Sequence, residues 1–220
     1  MLFRSRGIIV TNTPDVLTDE TADTAFGLVL NTVREFSAAE RYLRAGEWAK
    51  APYRLTASLR NKVLGILGLG RIGKAIAKRG EAFGLKVAYC GRSQQADIAY
   101  PFYASPRALA EACDILVIAA PGGPQTRHLV NADVLHALGP QGFLINIARG
   151  SLVDEAALIA ALHARTIAGA GLDVFAQEPH FSKDFLTTPH TVLLPHVGSA
   201  SIETRQAMED LLIADVDAFA

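Results

Sequence analysis

From Lys62 onward, short apolar runs alternate with stretches in which apolar residues recur every three or four positions. The runs are 63–67, 86–90, 115–119, 143–147, 167–172 and 192–194. Helical patterns begin at 72 and at Pro106, lie near 131–137 and over 154–163, and run from about 200 to the end. Unbroken apolar runs this short, bounded by glycine, proline and polar residues, are what strands buried on both faces look like. Their alternation with helices predicts an α/β fold, a doubly wound parallel sheet with helices on both faces. Upstream, Gly7 to Thr11 is strand-like and Asn12-Thr13-Pro14-Asp15 reads as a turn. Thr18 or Asp19 is then the expected cap of one long helix with Ala22, Ala25, Phe26, Val29, Leu30 and Val33 on one side, running toward Leu43 and stopping at Gly46.

Composition narrows the classes. Half of the 220 residues are hydrophobic, enough for a sizeable core, and the formal net charge is −1. That balance offers no basic field to a phosphate backbone, so nucleic acid is not an expected partner. The start of the chain has no signal-peptide pattern and no later apolar run approaches a membrane span, which leads to the expectation of a soluble cytoplasmic protein without membrane partners. Cys90 and Cys113 stand in unrelated contexts without metal-ligand spacing and read as packed thiols, and no metal is expected.

Gly68-Leu69-Gly70-Arg71-Ile72-Gly73 follows the run 62–67 and opens a helix. In that context the first glycine makes the tight turn, the second lets amides approach a pyrophosphate, and the third lets helix and strand pack closely. Taken alone, the pattern also fits an ordinary glycine-rich turn or a binder of S-adenosylmethionine. About twenty residues on, where an NAD site places a carboxylate on the ribose 2'-hydroxyl, the chain reads Cys90-Gly91-Arg92-Ser93, with no acid before Asp97. The planar fork of Arg92, with the Ser93 hydroxyl beside it, suits a 2'-phosphate, so a Rossmann-type domain preferring NADP (NADPH) over NAD is expected.

Three downstream segments complete the pattern: Asn146-Ile147-Ala148-Arg149-Gly150-Ser151-Leu152-Val153-Asp154-Glu155, then Gly171-Leu172-Asp173-Val174-Phe175 leading to Glu178-Pro179, and Leu194-Pro195-His196-Val197-Gly198-Ser199. In order and punctuation they resemble the signature regions of the D-2-hydroxyacid dehydrogenases, a likeness that runs from Gly7 to the C-terminus. The resemblance implies hydride transfer between a nicotinamide cofactor and a small 2-oxo or 2-hydroxy acid. Arg149 can offer a guanidinium to the carboxylate and ketone of such a substrate. His196 is the candidate proton donor to the developing alkoxide, with Glu178 as its partner acid. By resemblance, Asp173 is expected on the nicotinamide carboxamide, Pro121 with Gly122 and Gly123 under the adenosine half, and Ile147 and Gly198 among the cofactor contacts. The Gly91-Arg92 pair and the Ala120-Pro121-Gly122-Gly123 loop resemble the glyoxylate/hydroxypyruvate reductase branch, which implies small polar 2-oxo acids.

In that family a second, substrate-binding domain supplies a glycine-rich loop for the substrate carboxylate. Here only its last strand and its returning helix are expected, giving a substrate-domain remnant at 1–17, a dinucleotide-binding domain at 18–198 and a C-terminal helix at 199–220. Weak turnover and exposed apolar faces are the corresponding expectations. The long helix resembles the family's dimer-forming arm, which implies a homodimer. A dinucleotide-binding scaffold without significant catalysis is the alternative function.

Overall fold

A computed structural model describes residues 6–8 and 10–218. Its centre is one parallel sheet of seven strands: β1 (Val63–Leu67), β2 (Lys86–Cys90), β3 (Phe102–Tyr103), β4 (Ile115–Ile118), β5 (Phe143–Asn146), β6 (Gly169–Leu172) and β7 (Thr191–Leu193). The spatial order is β3-β2-β1-β4-β5-β6-β7. The order reverses beside β1, and at such a switch point an open sheet leaves a crevice beyond the carboxyl ends of its strands. The interior strands are apolar because helices cover both faces; Leu64, Ile66, Leu116, Ile118, Leu144 and Ala170 are all fully buried.

Among the described residues seven α-helices surround the sheet: α1 (Thr18–Arg34), α2 (Phe36–Arg44), α3 (Arg71–Ala82), α4 (Pro106–Ala112), α5 (Ala132–Leu138), α6 (Glu155–His163) and α7 (Ile202–Asp217). One core cluster joins α4, α5 and α6 to the sheet, and a second joins α1 and α3 to its other face. Four of these helices open on a side-chain cap: Ser105, Asn131, Asp154 and Ser201 accept from the amides of Ala108, Val134, Ala157 and Thr204. α3, which opens on Gly70, has no such cap.

The structure departs from the sequence reading in particular places. The long helix is broken at Glu35, which adopts a left-handed backbone (φ 56°) between α1 and α2. Its carboxylate is held by Tyr53 and Arg54, so the corner is fixed by a segment distant in sequence. The helix is capped by Leu17, without a side-chain bond, rather than by Thr18 or Asp19. The described part of 7–11 forms no strand: Ile8 and Val10 are 48% and 64% exposed and pair with no strand among the described residues, outside which Ile9 lies. β3 was not anticipated, since two residues at a sheet edge carry no periodicity. The last residues expected in the final helix, 219–220, also fall outside the description. Cys90 and Cys113 are buried free thiols, the latter pushed up to about 12 by burial. Among the described residues no helix is long and apolar enough to cross a membrane.

Candidate active site

Chemistry-bearing residues gather beyond the carboxyl ends of three neighbouring strands. Arg149 follows β5, Asp173 and Glu178 follow β6, and His196 follows β7. The parallel register that pairs Asn146 with Leu172 and Leu172 with Leu193 brings these exits side by side. The Nδ1 of His196 lies 2.6 Å from a Glu178 carboxylate oxygen, and the other Glu178 oxygen accepts from the Phe175 amide at 2.8 Å. Burial pushes the Glu178 carboxyl up, but the hydrogen bonds from His196 and Phe175 and the charges of His196 and Arg149 outweigh it and hold it below the usual carboxylate value. A carboxylate on Nδ1 leaves Nε2 as the free edge of the ring.

Each turn is held by a residue buried beneath it. Asn146, 1% exposed, donates to the Arg149 carbonyl at 3.0 Å and accepts from the Ala148 amide at 3.1 Å. Asp173, equally buried, accepts from the amides of Val197 and Gly198, both at 2.8 Å. His196 has a left-handed backbone (φ 56°), a strained state for a non-glycine residue of the kind that recurs at functional sites. Gly150 is required by close approach, because a Cβ there would lie 1.9 Å from the Phe175 carbonyl carbon. Glu155 accepts from the Ala176 amide at 2.7 Å, and its carboxyl is raised, first by burial and then by the neighbouring Glu178. An apolar cavity of about 300 Å³, walled by Phe175, Phe181, Leu193 and Leu194, borders Glu178 and His196.

The glycine turn stands at the switch point. Gly68 has φ +101°, and a Cβ there would meet the Ala120 backbone nitrogen at 2.6 Å; a Cβ on Gly73 would meet the Gly68 carbonyl oxygen at 2.3 Å. A Cβ on Gly70 would meet nothing within 4 Å. Open space over an uncapped helix start is what a pyrophosphate needs, so the turn fits a dinucleotide. Leu69 is buried, Ile72 half-buried, and Arg71 pairs with Asp15 at 2.9 Å. Gly91 is half-buried and Arg92 and Ser93 are exposed on the loop after β2. Pro121 is exposed after β4, Ile147 is buried after β5, and Gly122 is close enough to Arg149 that a Cβ would reach its Cγ at 2.8 Å. The structure thus groups Arg149, Glu178 and His196 at one end of the crevice and the glycine turn with Gly91, Arg92 and Ser93 at the other.

Residues 26–198 match the model of the D-isomer specific 2-hydroxyacid dehydrogenase, NAD binding domain. The chain belongs to the D-2-hydroxyacid dehydrogenase family. Among curated members, it is 49% identical to glyoxylate/hydroxypyruvate reductase A of Arabidopsis thaliana, over 98% of this chain and 69% of that protein. It is 45% identical to a 2-ketogluconate reductase of Gluconobacter oxydans, over 98% of this chain and 70% of the relative. Among solved structures, the NADPH-dependent glyoxylate/hydroxypyruvate reductase of Sinorhizobium meliloti, determined with NADP and malonate, superposes with a TM-score of 0.94. The two are 52% identical, over 98% of this chain and 68% of that one. This D-2-hydroxyacid dehydrogenase is therefore an oxidoreductase by family, with a Rossmann-type nicotinamide-dinucleotide domain.

Asn146, Glu155 and Asp173 hold the turns of this dehydrogenase site, and sequence reasoning gave the first two no role. The signal for Asn146 was available: an amide residue ending the apolar run Phe143-Leu144-Ile145 is buried and must find partners. Nothing local marked Glu155, whose partner lies 21 residues away.

Proposed function

We propose that the chain carries the cofactor and acid-base half of a reductase that uses NADPH to reduce small polar 2-oxo acids such as hydroxypyruvate or glyoxylate. The observation that supports this most directly is the His196–Glu178 contact at 2.6 Å, one strand away from the Arg149 turn. The cofactor, when bound, supplies the hydride. Arg149 holds the substrate carboxylate and polarises the ketone. His196, oriented by Glu178, gives the proton from Nε2 to the oxygen as it becomes an alkoxide. Oxidation of the hydroxy acid runs the same transfers in reverse.

On this reading Gly68, Leu69, Gly70, Arg71, Ile72 and Gly73 form the pyrophosphate cradle, Gly91, Arg92 and Ser93 the 2'-phosphate loop, and Pro121, Ile147, Asp173 and Gly198 line the rest of the dinucleotide groove. Asp173 can serve the nicotinamide carboxamide only while also holding the Val197 and Gly198 amides, which the lone pairs of a carboxylate allow. The reading takes 18–198 as the dinucleotide domain and the segments on either side as parts of a substrate domain. It also takes the functional form as a homodimer, for which the exposed Leu43, Trp48 and Leu55 following α1 offer apolar contact surface.

The test is NADPH oxidation with hydroxypyruvate and glyoxylate. The reading expects His196→Ala and Arg149→Ala each to lower turnover by roughly 100-fold or more while leaving NADPH affinity intact. NADPH binding without reduction of any 2-oxo acid by the unmodified protein would instead favour a dinucleotide-binding scaffold.

A further inference from the structure

The loop that follows β2 is tied to the glycine turn by one side chain. Gln95 sits three residues after Arg92. Its Nε2 donates to the Leu69 carbonyl at 2.8 Å, in the middle of Gly68-Leu69-Gly70. Its own amide donates to the Tyr89 hydroxyl at 2.8 Å. Tyr89 is fully buried in β2 and packs against Phe102 of β3, so that hydroxyl is a rigid acceptor fixed from inside the sheet. A second link, from the Gly68 amide to the Cys90 carbonyl at 2.8 Å, closes the frame on its other side. Gly91, Arg92, Ser93 and Gln94 are the span between these two anchors. Arg92, Ser93 and Gln94 are exposed, whereas Gln95 is half-buried.

We infer that Gln95 is a specificity-determining positioning residue for the cofactor: by fastening the far end of this loop to the glycine turn, it holds Arg92 and Ser93 in register with the ribose 2' position. The inference rests on the reading of Arg92 and Ser93 as the 2'-phosphate loop. A guanidinium on an unanchored turn must be ordered when the phosphate binds, and that entropy is charged against affinity; a turn already fixed at both ends avoids the loss. Gln95 suits this task because it supplies a side-chain donor and a backbone donor to two different elements at once. It carries no charge that would repel a phosphate. Lys74 and Asp97, 3.9 Å apart, are the charged pair nearest the same loop and add at most a weak exposed contact.

The experiment is parallel titration of NADPH and NADH with the unmodified protein, Gln95→Met and Tyr89→Phe. Methionine keeps the length of glutamine and cannot donate. The expected result is NADPH affinity lower on the order of tenfold in Gln95→Met, with NADH affinity unchanged. Tyr89→Phe should shift the NADPH to NADH ratio in the same direction, and hydrogen exchange at 91–96 should quicken in both variants. An unchanged ratio in Gln95→Met, or equal weakening of both cofactors, would overturn the inference, since a merely structural role lowers both alike. Unmodified protein with no preference for NADPH would overturn the 2'-phosphate reading and this inference with it, and would be seen before any substitution is made.

Discussion

The two ends of the crevice are built by opposite means. At the glycine-turn end, after β1, the design is subtraction: Gly68 and Gly73 are where they are because a Cβ would strike backbone, and Gly70 leaves free space over an uncapped helix. At the chemical end, after β5, β6 and β7, it is addition: Asn146, Asp173, Glu155 and Glu178 place polar side chains on backbone amides and carbonyls so that Arg149 and His196 are presented from fixed turns. The comparison shows why. Binding a pyrophosphate needs backbone donors and room, whereas moving a proton needs a side chain held to a few tenths of an ångström.

The largest effect is expected where the two principles meet. Gly150→Ala puts a Cβ 1.9 Å from the Phe175 carbonyl carbon, a backbone contact that no rotamer relieves. It should cost about 3–5 kcal/mol, read as a fall of roughly 10 °C or more in the melting temperature or as loss of soluble protein. A normal melt would show that the Arg149 and Phe175 segments are not packed as described.

Glu178→Gln tests the additive end. The Glu178 carboxyl is depressed in the folded protein, so its charge is present at all pH above the ordinary carboxylate value of about 4 and is lost only as pH falls through the lowered value. Across neutral pH a charged carboxylate oxygen therefore always faces the His196 Nδ1 at 2.6 Å. Its replacement by an amide should lower kcat for 2-oxo acid reduction about tenfold or more while leaving NADPH affinity unchanged, because the ring loses the acceptor that fixes its orientation. An unchanged kcat would mean that Glu178 does not orient His196.

Gly70→Ala tests the subtractive end and should have the smallest effect on the fold. The new Cβ meets nothing within 4 Å in the protein, so stability should change by less than about 1 kcal/mol. Dinucleotide affinity should nevertheless drop about tenfold, because the methyl group occupies space the pyrophosphate needs. Calorimetry of the variant gives both numbers from one preparation. Unaltered affinity would place the pyrophosphate elsewhere.

The sheet was legible in the sequence because its interior strands are buried on both faces and must be apolar throughout. The glycine turn was legible because its constraint is steric and local. What escaped depends on distant partners. Glutamate is a good helix former, and nothing around Glu35 announces that Tyr53 and Arg54 will fix a corner there. Ser105, Asn131, Asp154 and Ser201 stand directly before their helices, so those starts could be read; α1 starts at Thr18 behind Leu17, which makes no side-chain cap bond, and Thr18 and Asp19 misled. At the candidate site, Arg149, Glu178 and His196 were singled out by their order along the chain, and the fold brings them to the exits of three neighbouring strands. The roles of Gln95 and Glu155 were not, since their partners Leu69 and Ala176 become neighbours only in the fold. Asp173 was assigned to the nicotinamide alone, whereas in the structure both of its oxygens hold the His196 turn.

The most direct test of the account as a whole is calorimetric titration of the protein with NADPH and NADH, repeated on Arg92→Ala. The account predicts NADPH binding at least tenfold tighter than NADH, with the difference erased by the substitution. NADH bound as tightly as NADPH, or a preference that survives in Arg92→Ala, would contradict it.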